Sequence, residues 1–171
     1  MIAGAACVRV SHCGMSATQS LSFAGLHAIA TDRLSVLSCR VRSVTVGIIV
    51  QQRCEGFEAD NNLVELERDE GGGAAFVGIA YLLSTFPCRI TRNAVSGALF
   101  GILINDDPFE RTTSLAHFSI VDDNFVECPG IAEGPGGAIR PVAIDVAANG
   151  CTIAGNRIGY ASQFYIGIRV T

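Results

Sequence analysis

The chain has 171 residues, of which 49% are hydrophobic and only 16% are charged, which excludes a disordered protein and suits one domain with a substantial core. All twelve basic residues are arginine, and the net charge of −4 argues against nucleic acid as a partner, because contacts to phosphates need clustered positive charge. No apolar stretch is long enough to span a membrane, and the N-terminus lacks the basic start and long hydrophobic run of a signal peptide. We therefore expect a soluble single domain over residues 1–171.

A short pattern returns six times along the chain: an apolar residue, two variable residues, an asparagine or cysteine, one variable residue and a second apolar residue. We call the asparagine or cysteine the anchor. In chain order the anchors are Cys13, Cys39, Asn62, Asn93, Asn124 and Asn156. Consecutive anchors are 23 to 32 residues apart, and repeats of this length indicate a solenoid, in which each repeat packs on its neighbours.

A second element follows each anchor and consists of a small residue, an apolar residue and then alternating outward and inward positions. We call these segments the Gly-Ile elements. They begin at Gly25, Gly47, Gly78, Gly101, Ala143 and Gly167. Each repeat is thus predicted to form one coil of three short strands, one before the anchor, one after it and one that carries the Gly-Ile element. Equivalent residues of successive coils would stack at the interstrand spacing of about 4.8 Å.

Two roles are predicted for the anchors. A sharp bend between two strands needs a residue that tolerates left-handed backbone angles, and asparagine does so. Stacked asparagines can also hydrogen-bond to one another and to the turn backbone. We therefore expect an asparagine ladder in the last four coils, with cysteine in its place in the first two.

The seven cysteines are an odd number and include no C-x-x-C pair, which argues against a zinc or redox site. Four of them, Cys13, Cys39, Cys88 and Cys151, are in register with anchor or inward positions. We expect these to be reduced thiols that are buried and pack as small hydrophobic side chains. A disulfide framework is the alternative.

The two motifs together, apolar-x-x-Asn-x-apolar and Gly-Ile-x-Val, resemble the right-handed parallel β-helix of the pectin lyase-like superfamily. Pectate lyases, polygalacturonases, alginate-modifying enzymes and phage tailspikes share that fold, and the resemblance covers residues 8–170. It implies an all-β solenoid of about six coils with an Asn/Cys ladder inside. It implies no particular reaction, because the fold carries lyases, hydrolases, epimerases, adhesins and scaffolds.

In the enzymes that the chain resembles, the face that carries the Gly-Ile elements and its flanking loops form the saccharide cleft. Polar residues gather on this face in coils four to six. They are Asn105, Asp106, Asp107, Glu110, Asp145 and Arg169. Asp145, Arg169 and Asp107 are the candidate catalytic residues, and Asn105, Asp106 and Glu110 are the candidate substrate ligands. Converging carboxylates of Asp106, Asp107 and Asp145 would suit Ca²⁺, or acid and base catalysis on a glycosidic bond.

The resemblance to pectate lyases implies that Asp145 would hold calcium against a uronate and that Arg169 would abstract the proton. The residues alone also allow a simpler interpretation, an exposed ion pair between adjacent coils. The Asp106-Asp107 pair resembles that of polygalacturonases, but the His-Gly and R-I-K motifs of that family are absent. An Asp-Asp-Pro run also suits a turn.

Two functions from different classes follow from this sequence. The leading expectation is recognition or processing of a carbohydrate, above all an acidic polysaccharide, by a lyase or glycoside hydrolase if the chain is an enzyme. The alternative is a non-catalytic module of a spike, adhesin or scaffold.

Features of the face and of the chain ends favour the alternative. The outward residues Ile49, Ala80 and Leu103 predict an apolar patch covered by a loop or by a second chain, which raises the prospect of a homo-oligomer. Neither end shows a capping helix, so we expect a partner subunit or a longer solenoid to cover the end coils.

Overall fold

The structure is a computed structural model that describes residues 1–17, 24–43, 45–52, 54–67, 75–84, 86–104, 118–128, 132–134, 137–139, 141–148, 150–160 and 166–170. These residues form 21 β-strands, which make three large parallel sheets and one small hairpin. In this described part of the chain, no helix is long and apolar enough to cross a membrane.

The three sheets correspond to the three strand types that the repeat predicts. The Gly-Ile sheet contains β1 (Ile2–Ala3), β4 (Ala24–Ile29), β7 (Val46–Gln51), β10 (Ala75–Leu82), β13 (Ala98–Ile104), β18 (Val142–Val146) and β21 (Ile166–Val170). The pre-anchor sheet contains β2 (Cys7–Ser11), β5 (Arg33–Leu37), β8 (Gly56–Asp60), β11 (Cys88–Thr91), β14 (Ile120–Asp122) and β19 (Thr152–Ala154). The post-anchor sheet contains β3 (Gly14–Ala17), β6 (Arg40–Ser43), β9 (Leu63–Leu66), β12 (Ala94–Ser96), β15 (Phe125–Cys128) and β20 (Arg157–Tyr160). The antiparallel hairpin of β16 (Ala132–Gly134) and β17 (Gly137–Ile139) is inserted in the fifth coil.

Each strand of the three sheets pairs with the strands of the same type in the neighbouring coils, on both sides in the interior of a sheet and on one side at its edges. The first coil is therefore β2, β3 and β4, and the sixth is β19, β20 and β21. The predicted register is confirmed, since Leu26 pairs with Ile48 and Ile79 pairs with Ile102. The chain is the expected parallel β-helix of six coils with three strands in each.

The core of the β-helix consists of stacked inward rows. In the row of the Gly-Ile sheet, Ile48, Ile79, Ile102 and Ile144 have no exposed surface, whereas Ile168 in the last coil is 48% exposed. A residue in an end coil has a neighbour on one side only, so its surface remains partly open. For the same reason the expected burial is wrong for Cys13, which is exposed in the first coil, and for Cys151, which is only partly buried in the sixth. Cys39 and Cys88 are buried as expected.

Hydrogen bonds between anchors confirm the asparagine ladder. The Nδ2 group of Asn62 donates to Oδ1 of Asn93 at 2.9 Å, and the same contact joins Asn93 to Asn124 at 3.0 Å and Asn124 to Asn156 at 2.9 Å. Each Oδ1 also accepts the backbone N–H of the preceding anchor, at 2.9 to 3.0 Å. Each Nδ2 donates to a carbonyl of the preceding coil as well, as Asn93 does to Ala59 at 2.9 Å. The buried amides therefore have partners on both sides.

Cysteine takes over part of this role in the second coil. The Cys39 thiol lies 3.7 Å from the Val10 carbonyl and 3.3 Å from the Leu37 carbonyl. The contact to Val10 corresponds to the one that each asparagine makes with the carbonyl of the preceding coil. A thiol is only a weak donor, so the hydrogen bonding between coils is weaker at this end of the chain.

The left-handed backbone of each turn lies one residue before the anchor. His12, Ser38, Asn61, Arg92 and Asp123 have φ between 52° and 55°. The prediction that the anchor itself adopts this conformation is thus wrong. The anchor is fixed by the ladder, whereas the exposed residue before it makes the bend. In the sixth coil that residue is Gly155, for which a positive φ carries no steric cost.

Close packing explains why the Gly-Ile elements begin with glycine. A Cβ atom on Gly78 would lie 2.2 Å from Cγ1 of Val95 and 2.6 Å from the carbonyl oxygen of Gly101. Gly47 would make the same two clashes, with Val64 at 2.4 Å and with Gly78 at 2.5 Å. The glycine therefore lets the Gly-Ile sheet approach the valines of the post-anchor sheet.

We predict that Gly78→Ala lowers the free energy of unfolding by about 1–3 kcal/mol, the usual cost of overpacking a core. Chemical denaturation followed by circular dichroism measures it. Gly14→Ala is the matched control, because a Cβ at Gly14 has no atom within 4 Å. If both variants had the same stability, the packing explanation would be wrong.

We predict that Asn93→Ala costs at least about 2 kcal/mol, because the backbone and side-chain donors of Asn62 both lose their buried acceptor. Asn156→Ala, at the partly exposed end of the ladder, should cost less, since water can replace the lost acceptor. Urea denaturation of both variants gives the comparison, and equal losses would contradict a role for burial in the ladder.

Candidate functional site

The outward row of the Gly-Ile sheet has the predicted order. His27 pairs with Ile49, Ala80 with Leu103, and Asp145 with Arg169, each pair joining two neighbouring coils. The remaining register partners link these pairs into one row along the helix axis. Polar residues thus occupy the two ends of the row and apolar residues its middle.

The chain itself buries the middle of this row. Ile49 is 4% exposed, Ala80 has no exposed surface and Leu103 is 1% exposed. They belong to a second hydrophobic cluster outside the main core, which also contains Val46, Val77, Leu82, Leu99, Phe100 and Val142. The patch predicted for Ile49, Ala80 and Leu103 is therefore covered without a second chain, and a homo-oligomer remains a prediction that this burial does not require.

Asp145 and Arg169 form a bidentate ion pair between β18 and β21. Arg169 Nε donates to Asp145 Oδ1 at 2.8 Å, and Arg169 Nη2 donates to the other carboxylate oxygen. Asp145 is completely buried, whereas 37% of the Arg169 side chain is exposed. The simpler sequence interpretation, an ion pair between adjacent coils, thus holds for the pairing, but the carboxylate is buried and not exposed.

This arrangement limits what Asp145 can do. A cation at the carboxylate would share both of its oxygens with the guanidinium, because Arg169 contacts each of them. A buried carboxylate with two charge-assisted hydrogen bonds holds its guanidinium partner in one orientation. The group that Asp145 positions is therefore Arg169, whose exposed part faces solvent at the end of the row.

At the opposite end of the row, the His27 side chain contacts a polar side chain of the next coil. His27 Nε2 lies 3.1 Å from Gln51 Oε1, and both residues are half-buried. The hydrogen bond joins neighbouring coils diagonally, because the register partner of His27 is Ile49 and that of Gln51 is Ile29. It agrees with the structural role that single histidines usually have.

Four of the six predicted site residues, Asn105, Asp106, Asp107 and Glu110, lie outside the described residues, so their predicted roles are not tested. Within the described residues, no group of three or more His, Cys, Asp or Glu side chains is placed to hold a metal ion. The calcium site predicted for Asp106, Asp107 and Asp145 depends on two of the four and stays a prediction. So do the catalytic roles of Asp145, Arg169 and Asp107.

Two buried cysteines, Cys88 and Cys128, are not activated nucleophiles. All seven cysteines are free thiols, as the sequence predicts. Burial raises the pKa of the Cys88 thiol to about 12 and that of Cys128 to about 11, so both stay protonated at neutral pH. Burial also raises the pKa of Tyr81, whose hydroxyl donates to the Cys54 carbonyl at 2.6 Å. These groups therefore stabilise the core.

Ion pairs also join coils on the other two sheets. Arg92 donates to both carboxylate oxygens of Asp60, at 2.9 and 2.6 Å, and Thr91 donates to the same carboxylate at 2.7 Å. The Arg92 hydrogen bonds lower the pKa of Asp60. On the post-anchor sheet, Arg40 likewise lowers the pKa of Glu65. Cross-strand pairs such as these become visible only once the register is known.

The chain matches no protein-family model, and no curated protein or solved structure is significantly similar to it. What the structure shows is therefore the architecture, a parallel β-helix. The resemblance to the pectin lyase-like superfamily rests on the repeat motif and stays a prediction.

We predict that Arg92→Gln makes the protein less stable at pH 7 and that the difference from the original protein disappears in acid. The folded-state pKa of Asp60 is lowered, so its contribution is present above the unfolded value of about 3.9 and is lost as pH falls through the folded value. Urea denaturation across this pH range measures the effect. Arg157→Gln makes the same charge change at an arginine that forms no ion pair with the described residues, and a similar profile there would contradict the assignment.

Proposed function

We propose that this chain binds an acidic polysaccharide on the Gly-Ile face of a pectin lyase-like β-helix. The observation that supports the proposal is the state of Arg169, whose guanidinium is held by the fully buried Asp145 carboxylate while 37% of its side chain stays exposed. A fixed guanidinium loses little conformational entropy when it binds a second anion. Its planar donors match a carboxylate, which each uronate unit of an acidic polysaccharide carries.

The position of Arg169 agrees with a site in coils four to six. Ile104, the last residue of β13, pairs with Val146, which directly follows Asp145. The strand that leads to Asn105 in the sequence therefore ends beside the Asp145–Arg169 pair. Asn105, Asp106, Asp107 and Glu110 would complete the site as hydroxyl or cation ligands, with Ca²⁺ bridging protein and polymer. Because the middle of the outward row is buried, the polymer would occupy this end of the face only.

The described geometry supports binding more than turnover. Asp145 is engaged by Arg169 through both oxygens, and an arginine in this ion pair is a poor base until it leaves the carboxylate. A lyase or hydrolase reaction would need a further acidic group, for which Asp107 remains the candidate. Binding of the polymer and its cleavage are therefore measured separately.

A second candidate function is that of a structural module. Three features support it: the asparagine ladder, the stacked core and the second hydrophobic cluster, which is buried by the chain itself. All three hold the coils together without a ligand. This function requires no ligand. It predicts that the folded protein neither binds nor cleaves any polysaccharide.

The test incubates the folded protein with polygalacturonate, alginate and the neutral polymer dextran, with Ca²⁺ and with a chelator. Affinity electrophoresis measures binding, and unsaturated products and new reducing ends measure cleavage. We expect the two acidic polymers to bind and dextran not to bind. Arg169→Gln should weaken binding by at least about tenfold. Arg169→Lys keeps the positive charge but loses the planar pair of donors, and it should weaken binding less than Arg169→Gln does.

Matched variants separate binding from stability. Arg157→Gln removes one positive charge from another sheet and should leave binding unchanged. The double variant Asp145→Asn/Arg169→Gln avoids leaving a buried carboxylate without its partner, and circular dichroism verifies that it folds. An absence of binding by the folded original protein, or the same loss in Arg157→Gln, would reject the proposed function and leave the structural module.

A further inference from the structure

A shallow groove of about 340 Å³ lies on the outer surface of the pre-anchor sheet, away from the Gly-Ile face. Its lining includes Arg33, Ser35, Gly56, Glu58, Arg89 and Phe118, which come from coils two to five. The floor is formed by the strands that cover Phe57 and Cys88, both of which point into the core. This surface was not singled out by any repeat or motif of the sequence.

Gly56 creates the hollow in this surface. A Cβ atom at Gly56 would have only one atom within 4 Å, the Arg33 Cγ at 3.8 Å, and the backbone has no positive φ there. Gly56 thus differs from Gly47 and Gly78, where a Cβ would clash at less than 2.6 Å. The fold does not require glycine at position 56. The absence of a side chain is instead what keeps the groove open.

Two arginines in different coils border the hollow. Arg33 lies in the second coil and Arg89 in the fourth, which places their strands about 9.6 Å apart. Neither forms an ion pair with any of the described residues, whereas Arg40, Arg42, Arg92 and Arg169 all do. Glu58 is the register partner of Arg89, and its carboxylate accepts a hydrogen bond from Ser35 Oγ at 3.4 Å. The groove therefore combines two cationic donors with one anionic acceptor.

An exposed aromatic ring completes the groove. Phe118 is 75% exposed and has a φ of 60°, a left-handed conformation that is costly for a bulky residue. In the next coil the corresponding position is Gly150, whose φ of 67° carries no such cost. The chain thus places a phenyl ring at the rim of the groove at a position where glycine fits the backbone better.

We infer that this groove binds a sugar acid of one or two rings. Arg33 and Arg89 would donate to its carboxylate, Glu58 and Ser35 would hydrogen-bond to its hydroxyl groups, and Phe118 would pack on the apolar face of a ring. A volume near 340 Å³ is at the lower end of the range for small-molecule sites. The inference does not depend on the function proposed for the Gly-Ile face.

The same geometry disfavours two other ligands. A polyphosphate or nucleic acid would bring dense negative charge against Glu58 in a chain whose net charge is already −4. A peptide cannot add as a further strand here, because β5, β8, β11 and β14 are paired on both sides. A hydroxylated ligand with one or two carboxylates suits the mixed charge of the groove better than either.

The test uses ligand-observed NMR titration with glucuronate and galacturonate, and with glucose, galactose and inorganic phosphate as comparison ligands. We expect the uronates to bind at least about tenfold more tightly than the neutral sugars or phosphate. Gly56→Val fills the hollow with a residue that strands favour, and it should weaken uronate binding by at least about tenfold without unfolding the protein. Arg89→Gln should weaken it as well.

Phe118→Gly separates binding from stability. It removes the ring, and it also removes the steric cost of the positive φ, which glycine adopts freely. We expect this variant to unfold at a higher denaturant concentration than the original protein and yet to bind uronates more weakly. Arg157→Gln, which removes one positive charge from the post-anchor sheet, should leave uronate binding unchanged. The inference is overturned if the folded original protein binds no uronate, if phosphate binds equally well, or if Gly56→Val and Arg89→Gln bind as tightly as the original. It is also overturned if Arg157→Gln alone removes binding.

Discussion

Each of the three buried asparagines of the ladder is hydrogen-bonded to the coil before it and the coil after it. The Oδ1 of Asn93 accepts the backbone and side-chain N–H groups of Asn62, while its Nδ2 donates to Asn124 and to the Ala59 carbonyl. A slip of one residue between two coils would leave these groups buried without partners, at a cost of several kcal/mol. The ladder therefore fixes the register of the β-helix, and every outward row of residues depends on that register.

A fixed register turns distant sequence positions into neighbours. Asp145 and Arg169 are 24 residues apart in the chain, yet they form one ion pair because their strands are adjacent. Asp60 and Arg92 meet for the same reason. Surface chemistry on this fold is thus organised in rows along the helix axis, and a ligand that spans several coils contacts residues from several repeats at once.

The two candidate binding surfaces differ in how the fold produces them. On the Gly-Ile sheet, a buried carboxylate fixes the orientation of an arginine that reaches solvent, and a self-covered apolar cluster closes the middle of the face. On the pre-anchor sheet, the groove is open because Gly56 has no side chain between Arg33 and Arg89. The first surface depends on the buried ion pair of Asp145 and Arg169, and the second depends on the absence of a side chain at Gly56.

The repeat of anchors and Gly-Ile elements by itself determined the architecture, the number of coils, the strand register and the ladder, because stacking identical hydrogen-bonding and apolar positions requires them to recur at regular intervals. It also indicated the Asp145–Arg169 pair from its place in the row. Only the tertiary structure decided which outward residues are buried, as with Ile49 and Leu103, and which residue of each turn takes the left-handed conformation. Burial and groove shape depend on the volume of side chains from several coils together, and a local pattern in one repeat does not contain that information.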